Sequence, residues 1–219
     1  MSIFFSDLPP AIGYAASVVS AAIILHNART ASWRSLNAPG AFSAWCFSII
    51  ALPLLWRFRV PLENGVALHL MGVPIFVLMF GHRLAMAGTA LSVLAYTITF
   101  DANWGNVGAN ILLMAILPAY CGEAVMRATA RFLPHHMFVY LLGNGFFGAL
   151  IMLATAGLLS LGVHQALLAT VPIGVDTIAY MLLLAWGESF LTGFLLTIFT
   201  VYRPAWVLTF DDNVYLQGK

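Results

Sequence analysis

Charge is scarce in this chain. Asp, Glu, Lys and Arg make up 8% of its 219 residues, against about a quarter in an ordinary soluble domain. Hydrophobic residues make up 62%. That leaves too little polar surface to cover a monomer in water, so the bilayer is the solvent that fits. A net charge of +1 gives no electrostatic case for nucleic-acid binding. Cysteine is equally sparse. Cys46 and Cys121 both fall in apolar runs, which excludes a disulfide framework and a CxxC site. No basic stretch opens MSIFFSDLPP, so no cleavable signal peptide is expected. There is no P-loop, so the chain is not expected to hydrolyse nucleotide itself. HExxH and GxSxG are missing as well, and nothing marks the chain as an enzyme.

What the sequence does have is apolar runs, at roughly 10–26, 41–56, 65–81, 84–100, 107–126, 137–162 and 174–202. At about 20 residues per crossing, the length allows about seven transmembrane helices and no sizeable soluble domain. Legible breaks separate the runs: Asn27 to Gly40, Arg57 to Asn64, a very tight turn at Gly81-His82-Arg83, Asp101 to Asn106, and a basic stretch from Arg127 to His136. Runs such as Ile111 to Leu117 are apolar all round, as a helix in lipid is. They lack the alternation of a barrel strand, so strands are not expected. The expected fold is all-α, one transmembrane domain over residues 1–204 followed by a short cytoplasmic tail over 205–219.

Lys and Arg set the expected orientation. With seven spans, one side holds Arg29, Arg34, Arg83, Arg127, Arg131, Arg203 and Lys219, and the other holds Arg57 and Arg59. The first set is expected in the cytoplasm. That puts the N-terminus outside and the C-terminus inside a bacterial inner membrane.

Ionisable and amide groups inside spans are costly, which makes each a candidate for function. His69 lies near the outer end of span three, and imidazole is the commonest transition-metal ligand near neutral pH. The bland alternative is a histidine bonded between helices. Asn110 opens span five on the same side, where an amide bridges helices or fixes a turn. Asp7 is also outer, as a ligand or as a cap for span one. Asp101, Asn103 and Trp104 share that side. Glu188 falls mid-span with Thr192 at i+4 on the same face. A carboxyl at that depth must be protonated or paired; it could carry protons, but a structural knot to Asn144 or to a backbone carbonyl is the favoured reading. Glu123 and Arg127 have intrahelical pair spacing. His82, His135 and His136 belong to cytoplasmic turns, so they cannot share a site with His69. Ala11, Ala15, Ala16 and Ser20 put small residues at helical spacing on span one. Such residues let helices approach closely, within this bundle or in docking to another membrane subunit.

The stretch from Ala67 to Tyr120 resembles the CbiM/NikM family, the membrane permease or substrate-capture components of energy-coupling-factor uptake systems for cobalt and nickel. The matching pieces are His69-Leu70-Met71-Gly72, the hairpin around Gly81, and Gly108-Ala109-Asn110 with Met114 and Pro118. The last span resembles it again, with Gly187-Glu188-Ser189-Phe190-Leu191-Thr192-Gly193 and then Arg203-Pro204. The resemblance implies about seven helices with the N-terminus outside. It also implies a metal, nickel or cobalt, carried as substrate. In the family that metal is held by the chain's own N-terminus, a histidine in second position and a histidine in the third span. His69 matches the last of these, and Asn110 matches an asparagine near the site. The implied partners are a coupling transmembrane subunit, which span one would suit, and two cytoplasmic ATPases. One departure stands out: position two is Ser2. A free amine, a deprotonated amide and two imidazoles would form a square-planar set suited to Ni(II), and Ser2 removes one imidazole. The alternative expectation is a non-transporting membrane subunit that keeps the fold and assembles or stabilises a larger complex.

Overall fold

The computed structural model describes residues 2–6, 8–62, 66–169, 172–211 and 215. Asp7 therefore lies outside the described residues, as do Lys219 and most of the tail after Asp211. Among the described residues, five helices are long and apolar enough to cross a membrane, with a shorter apolar one after the first. In chain order these are α1 (Pro10–Thr30), α2 (Ala41–Arg57), α3 (Val73–Thr99), a span over Trp104–Phe132, a span over Val139–Leu167, and α7 (Val175–Tyr202). The span over Trp104–Phe132 is built of a 3-10 turn, α4 (Val107–Ile111), a π turn and α5 (Leu117–Phe132). The next is a π stretch (Val139–Gly148) running into α6 (Ala149–Leu167).

α3 is two helices rather than one straight rod. Gly81 breaks it at φ 77 and ψ 162, a backbone conformation only glycine adopts readily. Twelve residues of straight helix would separate Phe76 from Gly88 by about 18 Å. Instead, a Cβ built on Gly88 would run into the Phe76 ring, so the two arms fold back side by side at Gly81. The tight turn expected there is present.

Two interruptions of helical bonding are answered by a side chain or by another segment, as a medium without water favours. Pro53 inside α2 has no N–H to offer Ile49, and the hydroxyl of Ser92 bonds the Ile49 carbonyl at 3.0 Å. At the Gly81 bend, Leu208 N–H donates to the Met79 carbonyl at 2.6 Å, and Thr209 Oγ1 bonds the Leu78 carbonyl. The segment after Arg203 thus folds back onto the bundle. Val207 is buried there, and Phe210 and Tyr215 pack against Tyr140.

One end of the bundle gathers Arg83, bonded to the Thr30 carbonyl, and Arg127, bonded to Glu123 at 2.7 Å. The intrahelical pair is as expected, and His82 Nδ1 joins it, 3.0 Å from Glu123. The other end carries a structure that was not expected from the sequence. Arg59–Pro61 (β1) and Ala67–His69 (β2) pair antiparallel, with Arg59 opposite His69. The physical reason lies at the start of α3. Gly72, at φ 69, and Pro74 in the first turn delay the helix to Val73, so His69 sits in extended backbone rather than in a helix.

Span one's small residues divide between two faces. Gly13 lies so near Gly105 that a Cβ would run into its carbonyl oxygen, and Gly108 lies directly on the Ser17 backbone. Ser20 is buried and Ala16 half-buried on this seam, so these two serve packing within the bundle. Ala11 and Ala15 stay on the exposed face.

Candidate functional site

The N-terminal segment is plugged into the core. Ile3 and Phe4 are 2% and 3% exposed. Phe4 stacks on Tyr96 with ring centroids 4.3 Å apart and lies against Trp56 at 5.9 Å. Arg59 sits over the Phe5 ring at 4.1 Å. The backbone of this segment is clamped by three asparagines from one stretch of chain. Asn110 Oδ1 accepts from Ile3 N–H at 3.0 Å. Asn106 Nδ2 donates to the carbonyls of Ile3 (2.6 Å) and Ser6 (2.5 Å). Asn103 N–H donates to the Phe4 carbonyl at 2.9 Å. Asn110 is spent on this clamp, its Nδ2 going to the Asn106 carbonyl at 3.1 Å. It anchors the segment rather than facing a ligand. Sequence reading missed the clamp, although Asn103, Asn106 and Asn110 at helical spacing were a signal for it.

The clamp places Ser2 on His69. Ser2 Oγ lies 3.0 Å from His69 Nε2. His69 Nδ1 lies 2.9 Å from the Leu70 carbonyl, which can only accept, so Nδ1 carries the proton. Burial holds the imidazole of His69 well below its ordinary pKa, so the ring is neutral. Its Nε2 lone pair therefore points toward Ser2, as a hydrogen-bond acceptor or a metal ligand. This is the tautomer arrangement of a metal-binding histidine, with a backbone carbonyl fixing the far nitrogen.

Beneath this pair is a narrow cleft lined by His69, Met71, Leu153, Gly157, Leu184, Ala185 and Glu188. Glu188 is 4% exposed and accepts from backbone N–H groups, rather than bonding Asn144 or a backbone carbonyl as expected. Its Oε2 accepts from Met71 N–H at 2.7 Å and its Oε1 from Gly72 N–H at 2.6 Å. Asn144 instead accepts from Thr129 Oγ1 at 2.7 Å. Thr192, buried one turn below Glu188, lines an apolar groove of about 950 Å³ between α2 and α7, floored by α3, which Leu70, Gly72 and Glu188 also line. Among the described residues, no group of three His, Cys, Asp or Glu comes together to hold a metal.

Because Asn106 gives the short bonds to the Ile3 and Ser6 carbonyls, Asn106→Leu leaves Ile3 with only the long bond from Ser6 N–H (3.5 Å) and Ser6 with only the one from Asn103 Nδ2 (3.3 Å), at about 1–2 kcal/mol each. Thermal unfolding in detergent should show a loss of about 2–4 kcal/mol, and cysteine labelling at position 2 should find the segment accessible. An unchanged melting curve would mean the clamp does not hold.

Among curated proteins, none matches this sequence. Two solved structures share the fold. A "transition metal transporter" superposes with a TM-score of 0.73 at 16% identity, covering 92% of this chain and 93% of its own. A "truncated transition metal transporter" gives the same score and identity, covering 92% and 99%. At such identity the likeness speaks for the fold alone. The sequence itself matches the CbiM family, described as "Cobalt uptake substrate-specific transmembrane region", over residues 6–206. A match of that extent, on a bundle of membrane-length helices that brings Ser2 against His69, makes this chain a member of the CbiM family.

Proposed function

We propose that this chain is the substrate-binding membrane component of an uptake system for a divalent transition metal ion, nickel or cobalt. It captures the ion at the outer end of the bundle through His69 Nε2. The observation that carries this reading is the contact between Ser2 and His69. A buried, neutral imidazole with one nitrogen tied to a carbonyl meets a chain segment held in place by three asparagines. On this reading the two arms of α3, the first short and led in by the extended stretch before it, count as separate crossings, seven in all. Arg29, Arg34, Arg83, Arg127, Arg131 and Arg203 then face the cytoplasm, and Ser2 and His69 face outward. By family, the partners are a coupling transmembrane subunit and cytoplasmic ATPases in a bacterial inner membrane. The exposed face of α1 with Ala11 and Ala15 is the proposed contact for the coupling subunit.

Ser2 gives this site a harder donor than the histidine of the family pattern. Ser2→His adds an imidazole beside His69. Isothermal titration of the purified protein with Ni²⁺ should show affinity rising by about tenfold or more, the cost or gain typical of one good donor. Affinity unchanged or lowered would remove position two from the site.

A second reading has its own support in the absence, among the described residues, of any three-ligand cluster. In it the chain is a non-transporting subunit that keeps the fold to assemble a larger membrane complex. It expects no bound metal and stable co-purification with other membrane proteins. Metal content measured on protein purified gently from its native membrane separates the two.

A further inference from the structure

Two successive peptide planes follow His69, and both are gripped at their edges. The Leu70 carbonyl and the Met71 N–H belong to one rigid plane. Its carbonyl accepts from His69 Nδ1 (2.9 Å) and its N–H donates to Glu188 Oε2 (2.7 Å). The Met71 carbonyl and the Gly72 N–H form the next plane. Its carbonyl accepts from Trp56 Nε1 (2.8 Å) and its N–H donates to Glu188 Oε1 (2.6 Å). Successive amides at a turn into the left-handed region make a cradle for a carboxylate, and bonds to an ionised acceptor are the strong kind. The loop has little freedom to adjust. A Cβ on Gly72 would stand 2.6 Å from Leu52 and 2.9 Å from Leu55.

We propose that Glu188, at the middle of α7, is a positioning residue that acts on His69 through the Leu70–Met71 peptide plane, fixing which ring nitrogen is free and where it points. The inference rests on the reading of His69 as the capture ligand and adds a link from another helix. α7 is otherwise largely exposed, with Leu183, Trp186, Phe190 and Phe194 on its outer face. A shift of α7 would pull on the Met71 and Gly72 amides together and so turn the His69 ring.

The test reads the ring itself, without metal. Protein labelled with ¹⁵N in its histidine rings is compared with a His69→Gln variant to assign the His69 signals. Wild-type His69 should show a single tautomer, with Nδ1 protonated and Nε2 bare. In E188Q the amide keeps one acceptor and turns an N–H toward the other loop amide. His69 should then show mixed tautomers, and titrated Ni²⁺ should bind about 10–100-fold more weakly, as when an outer-shell partner is lost. E188D, one methylene shorter with its charge kept, should recover part of both. S189A removes a neighbouring bond internal to α7, to the Ala185 carbonyl, and should change neither. His69 signals identical in E188Q and wild type would overturn the proposal. If E188Q does not fold, hydrogen exchange on the wild type decides. Met71 and Gly72 amides should exchange most slowly between residues 66 and 72, and fast exchange there would overturn it. A wild type that binds no Ni²⁺ while E188Q still shifts the tautomer would sink the capture reading and leave the positioning role standing.

Discussion

His69→Ala should strip the purified protein of its metal. Mass spectrometry of the wild type incubated with Ni²⁺ or Co²⁺ is expected to find close to one ion per chain, and the variant should fall to background. Losing a partner of a ligand typically weakens binding about 10–100-fold, and losing the ligand itself should exceed that. The fold should survive. The ring's polar contacts are with its own neighbour's carbonyl and with Ser2, while the N-terminal segment is held independently by the asparagines. His82→Ala is the matched control, since His82 pairs with Glu123 at the opposite end. It should retain full stoichiometry. Metal retained by the His69 variant would place the site elsewhere.

Gly108→Ala should be the most damaging one-methyl change in the molecule. The added Cβ would stand 2.6 Å from the Ala16 carbonyl carbon and closer still to the Ser17 backbone. Side chains yield to such a clash, but a helix backbone moves only if the whole helix moves. Overpacking of a core typically costs about 1–3 kcal/mol, and this site should reach the top of that range or pass it. The melting temperature in detergent should fall by about 5 °C or more. The damage should extend to metal binding, because the displaced stretch carries Asn106 and Asn110, which hold Ile3 beside the site. Gly162→Ala offers the contrast. Nothing lies within 4 Å of its built Cβ, and alanine is the better helix former, so its melting curve should be unchanged or slightly raised. Equal behaviour of the two variants would refute the close α1–α4 seam.

Much of this architecture was legible because lipid makes strong demands on sequence. Apolar runs separated by polar breaks located the helices, and glycine at position 81 marked the fold-back that divides α3. The Glu123–Arg127 spacing announced its own bond. What stayed hidden was non-local. Ile3-Phe4-Phe5 is too short and irregular to read as a core element, yet Phe4 lies between Tyr96 and Trp56. Its backbone is satisfied by asparagines about a hundred residues away, which no local pattern discloses. Glu188 was recognisable as a carboxyl needing partners. Its partners are backbone amides, and every residue has those, so the sequence names no address for it. The β1–β2 pairing was unreadable because three-residue strands carry no usable alternation. Of span one's small residues, only packing could separate the inward Ala16 and Ser20 from the outward Ala11 and Ala15.

The central claim is that an ion captured by this protein is bound by the His69 imidazole beside the N-terminal segment. X-ray absorption at the nickel or cobalt edge, on the full chain loaded with one equivalent, addresses it directly. The account expects nitrogen and oxygen donors at about 2.0–2.1 Å, the multiple-scattering pattern of one imidazole, and no sulfur shell. It also expects a second imidazole to appear in Ser2→His. A spectrum without imidazole, or one dominated by sulfur, would contradict it, as would a chain that takes up no metal at all.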